Sequence, residues 1–531
     1  LMAVPFHYYK NDSIISKYID ALKDHYTESK SPSKLIIPPH IVERIPKSVI
    51  SFLKKNNSDK QIDPYLFEVY VYQKMYHEIN RGRLCCNESS AYCDIEYDLV
   101  DDSKVDQIES ICEEMGFPKI PVYCDKRLDE SLDELNIAWK RTNENIANNI
   151  NSGIQVKENK EGISVWSLLY DKTEKHDVSF FNSLPKVEIA DLVMFVGNMV
   201  NMWQGFSHIK PRYVKRRKPL VMAINACLLS EALGFGVTKM SEMSDLKLHI
   251  LRTTREDFIR IDTLTTVNDQ ISNYIESLSI FKHWNLLDDR LLADADGQKH
   301  STTDSTIQSR YSRKYLGKGK GISIYTLIAN FVAVNAKNLG LNEYEGHSLY
   351  DMIYGNKTDV YVDVVTGDNH SLNKLNFVAL DSIGVDYVPS IKNVKDAAGE
   401  LYSAGETKDY QGILKPKASI DVDLIKDQKR GILRILLSLI LQENTQSIII
   451  RKLNSHARYS RLRAALYEYN NIFKSIHVLN LIDDIQLRKA IRTARNRTEA
   501  YHQLQSQIRN IFKGVFKGKR LIDNRISAHA S

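Results

Sequence analysis

The sequence predicts a multidomain α+β protein: a largely helical scaffold carrying one α/β unit built on a mixed five-stranded sheet. Three observations lead there. A chain of 531 residues is too long for a single core, and three or four domains are the natural division. Apolar residues recur at three-to-four spacing through most of the first 285 residues and again from Asp421 onward. Between those regions, short runs rich in β-branched residues alternate with helical segments and glycine or proline turns.

Taken in order, Ser13–His25 and Pro64–Arg81 are predicted helices. In the second, Leu66, Val69, Tyr70, Tyr72, Met75 and Tyr76 form a stripe expected to be core. Leu128–Asn151 is a polar, exposed or connecting helix, and GISVWSLLYD after it is strand-like, so a boundary falls nearby. Helices follow over Ile189–Trp203, Leu220–Leu233 and Phe258–Phe281, the second closed by Gly234-Phe235-Gly236. The pattern changes after Trp284. Strands are expected at Arg290–Asp296, Thr306–Ser312 and, as one long run, Gly321–Val334. A short helix His347–Tyr354, a strand Asp359–Val365, a helix Leu372–Ile383 closed by Gly384, and a strand Val385–Ser390 complete the unit. Helices return at Ile425–Leu441, Tyr459–Phe473 and Asp483–Phe512.

Composition is that of an ordinary globular protein, 43% hydrophobic and 26% charged. The net charge of +6 is mild but unevenly spread. Lys210–Lys218 holds six basic residues in nine, and Arg509–Arg525 carries six against Asp523 alone. Such patches suit phosphate backbones or acidic partners, or are simply solvated surface. Six cysteines form no CxxC pair and no zinc spacing, which suggests reduced cytosolic thiols. No signal peptide and no apolar run of membrane-spanning length is present, so no membrane partner is expected.

The most informative stretch is LLADADGQKH at 291–300. A short apolar strand delivers Asp294 and Asp296 to one face, because residues two apart on a strand share a face. Asp368 follows a second strand in the same manner, with His370 two residues later. Carboxylates at the ends of neighbouring strands can hold a divalent ion such as Mg²⁺, which favours oxygen ligands and keeps waters and substrate phosphates as the others. A third carboxylate from a helix across the sheet would complete a two-metal site for phosphoryl chemistry. Spacing alone leaves many acids eligible.

The wording of the motifs narrows the choice. DADGQKH (294–300) resembles the first catalytic motif of Tn3-family transposases, an Asp followed by Gly-Gln. GKGKGISIYTLIAN (317–330) is similar to that family's glycine-led strand, and GDNHSLNKLNFVALDSIGVDYVPSIKN (367–393) to its second motif. RTEAYHQLQSQI (497–508) resembles the helical motif that carries the catalytic Glu. Upstream, SLPKVEIADLV, GFSHI and CLLSEALGFGVTKMSEMS also follow family blocks, so the resemblance covers nearly the whole chain. It implies an RNase H-like α/β catalytic core with a helical insertion, and a DDE triad at Asp296, Asp368 and Glu499, spaced by 72 and 131 residues. Asp294 is the rival for the first position; Asp296 is preferred because Gly-Gln follows it directly. His370 and His502 orient a scissile phosphate or a ligand carboxylate, or merely pack.

The same resemblance implies a domain plan: 1–155 helical scaffold and DNA-binding region, 156–285 helical linker, 286–394 core strands with the two Asp, 395–485 helical insertion, and 486–531 the Glu helix with a basic tail. It implies two Mg²⁺ (or Mn²⁺) ions, double-stranded DNA as partner, a homodimer that joins two transposon ends, and a nucleoid-associated place in a bacterial cytoplasm. Arg310, Arg313, Lys314, Lys318 and Lys320 around Gly317, Gly319 and Gly321 are expected to meet DNA, as are Lys215, Arg216, Arg217, Lys218, Lys513 and Lys517. Three departures stand out: Gly367, Asn369 and Ser371 around the second motif, PSIKN in place of Pro-Arg, and DQKRGILR without the usual aromatic and Asp. The competing classes are a metal-dependent nuclease and a catalytically inactive DNA-binding relative. Beginning at Leu1 and lacking the family's recognition modules, the chain is expected to be the central and catalytic part of a longer protein.

Overall fold

The computed structural model describes residues 4–8, 14–28, 39–54, 62–89, 92–151, 153–158, 164–169, 179–210, 220–302, 306, 308–369 and 371–511. Two compact units emerge, one formed by 1–126 with 421–468, the other by 127–420 with 469–531.

In the first unit, helix Pro64–Asn80 begins at Asp63, whose carboxylate accepts from the backbone N–H groups of Tyr65 and Leu66. Pro64 occupies the first turn, where its missing N–H leaves nothing unpaired. The helix buries Phe67, Tyr70, Val71 and Met75 in one cluster with Tyr18, Ile19 and Leu22 of the helix Ile14–Glu28. This corrects the predicted stripe: Tyr70 and Met75 are core, whereas Leu66, Val69, Tyr72 and Tyr76 are exposed. Almost every position in YLFEVYVYQKMY is apolar or aromatic, so two faces satisfy helical spacing and only the packing partner chooses. Helices Lys429–Ile440 and Gln446–Ser455 belong to the same unit, held by Arg430 to Asp102 and Asp106 and by a buried Lys452–Asp98 pair to which Asn444 also donates.

The second unit contains the sheet. A helical layer that includes Val221–Ala232, Leu248–Phe258 and α1 (Ile261–Ser277) closes around Trp203, Phe206, Cys227, Leu251 and Leu264. Asn268 of α1 donates to Ala333 O at 3.1 Å and ties that layer to the sheet. The strands are β1 (Leu292–Thr302), β2 (Arg310–Tyr311), β3 (Lys320–Ala329), β4 (Val332–Gly340), β5 (Val364–Gly367) and β6 (Asp386–Tyr387). Five of them run across the sheet in the order β4-β3-β1-β5-β6, with the two-residue β2 beside the start of β3. β3 is antiparallel to both β1 and β4, whereas β5 and β6 run parallel to β1. Ile322, Ile324, Leu327 and Ile328 of β3 are all buried, which is why its sequence is nearly continuous in apolar residues.

The mixed sheet is as predicted, but the strand bounds differ: β1 runs on to Thr302, the expected strand Thr306–Ser312 shrinks to Arg310–Tyr311, Asp359–Val365 gives way to Val364–Gly367, Val385–Ser390 shortens to Asp386–Tyr387, and one expected strand is two. Gly321–Val334 is not a single strand: it turns at Asn330-Phe331 and returns as β4, a strand the sequence reading missed. Helix α2 (Asn376–Ser382) packs behind β6, and α3 (Ile485–Asn510), capped by Asp484, lies along β1.

Candidate active site

The site grows from the match between β1 and α3. Two residues along a strand advance about 6.6 Å and four along a helix about 6 Å, so the two elements keep step. Thr498 therefore lies beside Asp294, His502 beside Asp296, Ser506 beside Gln298 and Arg509 against His300. Gln298 Nε2 fixes this register, donating to His502 O and Ser506 Oγ, both at 2.8 Å. His502 Nδ1 stands 3.7 Å from Asp296 Oδ2.

Asp368 arrives from β5. Asp294 pairs with Thr366 and Ala295 with Gly367, so Asp368 is the next residue on, level with Asp296 one strand away. Ser371 N–H donates to Asp368 Oδ1 at 3.0 Å and steadies the turn after the strand. Asp294 is 1% exposed, with Oδ1 unpartnered. Burial pushes its pKa up to about 7, opposed by the hydrogen bond from Thr498 and reinforced by the charge of Asp296. Asp296 is pushed up to about 6, again mainly by burial, with the Gly297 N–H opposing and the Asp368 charge adding. Burial and the nearby Lys299 bring His502 down to about 4, so its imidazole is neutral at neutral pH.

The structure also supplies an acid that sequence reasoning missed. Glu345 accepts from Ser323 Oγ at 2.5 Å and pairs with Lys299 Nζ at 2.7 Å. It lies so close to the backbone after Asp296 that a Cβ at Gly297 would stand 2.2 Å from its Oε1. On the other side, the same turn is bound to the segment after Asp368: Asn373 and Asn376 donate to Gly346 O, and Tyr344 Oη donates to Leu372 O. The turn thus bridges the two aspartate-bearing segments. No periodicity marks Glu345, which follows a strand the sequence does not announce.

Glu499 sits one residue after Thr498, about 100° round the helix, and its side chain is exposed with no hydrogen bond or ion pair among the described residues. Arg495, one turn earlier on the same flank, donates to Ser390 Oγ at 3.3 Å. Ser390 N–H in turn donates to Gly367 O, so that flank of α3 is the one on the Asp368 side. Among the described residues no three acidic, His or Cys side chains converge closely enough to hold a metal ion. Asp296 and Asp368 are brought together; Glu499 borders them without closing on them. Arg310, Arg313, Lys314 and Lys318 are exposed, and Lys320 lies over the Tyr311 ring at 5.3 Å, beyond the Asp296 end of the sheet. His370, Lys215, Arg216, Arg217, Lys218, Lys513 and Lys517 fall outside the described residues.

Comparison with known proteins bears on the same segments. The Tn3 transposase DDE domain family matches residues 191–531. The transposase for transposon Tn1546 of Enterococcus faecium is 24% identical over 355 residues, 66% of this chain and 34% of that protein. The transposase for transposon gamma-delta of Escherichia coli (strain K12) is 25% identical over 342 residues, 61% of this chain and 32% of that one. The transposase for transposon Tn21 of Escherichia coli is 22% identical over 462 residues, 84% of this chain and 45% of the relative. The matched part of the chain therefore spans 32% to 45% of the length of these curated relatives. With the match running from the helices before the sheet to the end of the chain, and taking in Asp296, Asp368 and Glu499, this protein belongs to the Tn3 transposase DDE domain family.

Proposed function

We propose that the chain is the catalytic portion of a transposase that cleaves DNA at the 3′ ends of terminal inverted repeats and transfers those ends into target DNA, giving replicative transposition with a cointegrate. The observation that supports it most is the seating of Asp296 on β1 level with Asp368, the residue that directly follows the parallel neighbouring strand β5. The strand order β4-β3-β1-β5-β6, with β3 alone reversed, suits an RNase H-like core.

The donor chemistry fits a hard divalent ion. The acids at the sheet edge offer carboxylate oxygens, and Asp294 Oδ1 is buried without a partner. Asp296 and Asp368 would hold Mg²⁺ or Mn²⁺, two ions per site, with Glu499 closing from α3. When bound, such ions supply charge stabilisation and an activated oxygen nucleophile for in-line phosphoryl displacement.

This chain's own groups do the rest. Asp296 is the accessible acid of its pair and Asp294 the buried one beneath it, which favours Asp296 for the triad. His502, neutral, orients Asp296 rather than neutralising it. The exposed Arg310, Arg313, Lys314 and Lys318 would hold the phosphate backbone without reading sequence. Two such chains would bring two transposon ends together.

The test uses the full-length protein, Mg²⁺ and a labelled duplex ending in the cognate inverted repeat. Wild type is expected to nick the 3′ end and join it to a plasmid, and Glu499→Gln to bind without either step. Nicking without joining would point to a nuclease. Equal behaviour of the two proteins would remove Glu499 from the triad.

A further inference from the structure

Two aromatic rings stand in solvent beside a cation near the candidate active site. Phe331 is 51% exposed and Trp284 41%. Their centroids are 5.4 Å apart at 89°, edge to face. The Arg497 guanidinium lies 4.6 Å from the Phe331 centroid and 5.9 Å from that of Trp284. Arg497 donates only to neutral oxygens, Trp284 O at 2.9 Å and Asn330 Oδ1 at 3.1 Å, and has no carboxylate partner among the described residues. A half-buried guanidinium with no carboxylate partner among the described residues, packed on two exposed aromatic rings, matches a ligand with a flat π system and an anion.

The backbone adds a second, independent sign. Ala329 pairs with Val332, so Asn330 and Phe331 form a two-residue hairpin loop, with φ of 45° and 70°. Glycine is the usual second residue of such a loop, and a bulky side chain rarely adopts that conformation. The strain is locked in: Asn330 Nδ2 donates to Phe281 O at 2.8 Å and to Asn285 Oδ1 at 2.7 Å. An over-determined, strained position that displays an aromatic ring is a mark of a binding role.

Position narrows the ligand. Arg497 precedes Glu499 by two residues, about 3 Å along the helix axis and about 200° round it, so it flanks Thr498 on the side away from Glu499. The loop adjoins Ala329, which pairs with Ala293, three residues before Asp296 and roughly 10 Å away along the strand. Two or three stacked nucleotides cover that distance.

We propose that Phe331, Trp284 and Arg497 form a binding site for one unpaired nucleotide of a DNA strand, the base stacking on Phe331 and the phosphate resting on Arg497. The site would hold a strand opened next to the scissile bond, since a base in duplex cannot reach a ring face without leaving the stack. The inference rests on the DNA-processing function proposed above.

The experiment is kept free of chemistry by EDTA and uses the whole chain, with fluorescence anisotropy of a labelled thymidine 12-mer and of a 20-base-pair duplex. Phe331→Gly removes the ring and relieves the strained φ, effects of opposite sign on stability, so the fold is retained. It is expected to weaken 12-mer binding about tenfold, leave duplex binding within about twofold, and be rescued by Phe331→Trp, in line with stacking on other single-strand platforms. Equal 12-mer affinity in Phe331→Gly and wild type would overturn the site. So would a parallel loss of duplex binding, which would make it a duplex contact. Wild type that binds the duplex but not the 12-mer would refute the nucleotide site and leave the proposed function standing; binding to neither would refute both.

Discussion

Asp294 and Asp296 stand two residues apart on one face of one strand, yet their surroundings differ. Asp294 is sealed beneath α3, and Asp296 keeps some contact with water. A carboxyl whose pKa rises on folding favours the folded state below its unfolded pKa, near 4, and that advantage is lost as pH rises through the folded value. For Asp294, held at about 7, the window is pH 4 to 7. Asp294→Asn is therefore expected to raise stability at pH 8 without metal, on the order of 4 kcal/mol, with the gain gone by pH 4; melting curves at both pH values check it. Gly297 makes a second prediction. A Cβ there would drive Glu345 off Lys299 and Ser323. Gly297→Ala should cost about 2 kcal/mol, the loss of a charge-assisted hydrogen bond. Combined with Glu345→Ala it should cost clearly less than the sum of the single changes, as measured by a double-mutant cycle in urea.

At the scale of elements, α3 is expected to depend on its cap. Asp484 accepts from the N–H groups of Gln486 and Leu487, and Asp484→Ala should cost about 1 kcal/mol in chemical denaturation. The β3–β4 hairpin shows what was and was not legible. The start of strand β1, the helix carrying Glu499 and the order strand–helix–strand of β5, α2 and β6 follow from periodicity and turn residues, though β1 runs on past Asp296 and β5 begins only at Val364. The hairpin does not, because Asn330-Phe331 lacks the glycine that announces a two-residue turn, and the run GISIYTLIANFVAV reads as one strand. Missing β4 also hid Glu345, the residue that its turn presents to the Asp296 backbone. Phe331→Gly should change stability by no more than about 1 kcal/mol, since relief of φ and loss of the ring contacts are of similar size. A larger loss on thermal melting would show that the ring is structural.

For the molecule as a whole, charge and metal give the measurable consequences. If Arg310, Arg313, Lys314, Lys318 and Lys320 neutralise phosphates, log K for DNA falls linearly with log salt. Lys314→Gln with Lys318→Gln should flatten that slope by about 2 while leaving sequence preference unchanged. Mg²⁺ at ten times its dissociation constant should stabilise the wild type by about 1.4 kcal/mol, and Asp296→Asn or Asp368→Asn should abolish the effect. Differential scanning fluorimetry reads this without DNA. Among the described residues no helix is long and apolar enough to cross a membrane.

The sequence alone determined the alternation of strands and helices in outline, the segments that carry the family's motifs, and the family, because these depend on local periodicity and on residues adjacent in the chain. Tertiary structure decided what depends on distant partners. It chose which face of Pro64–Asn80 is buried, because two faces were equally apolar. It set Asp294 deeper than Asp296, because the crossing of α3 determines which carboxyl meets water. It brought Glu345 to Gly297 and Arg497 to Phe331, pairs 48 and 166 residues apart that no spacing rule connects.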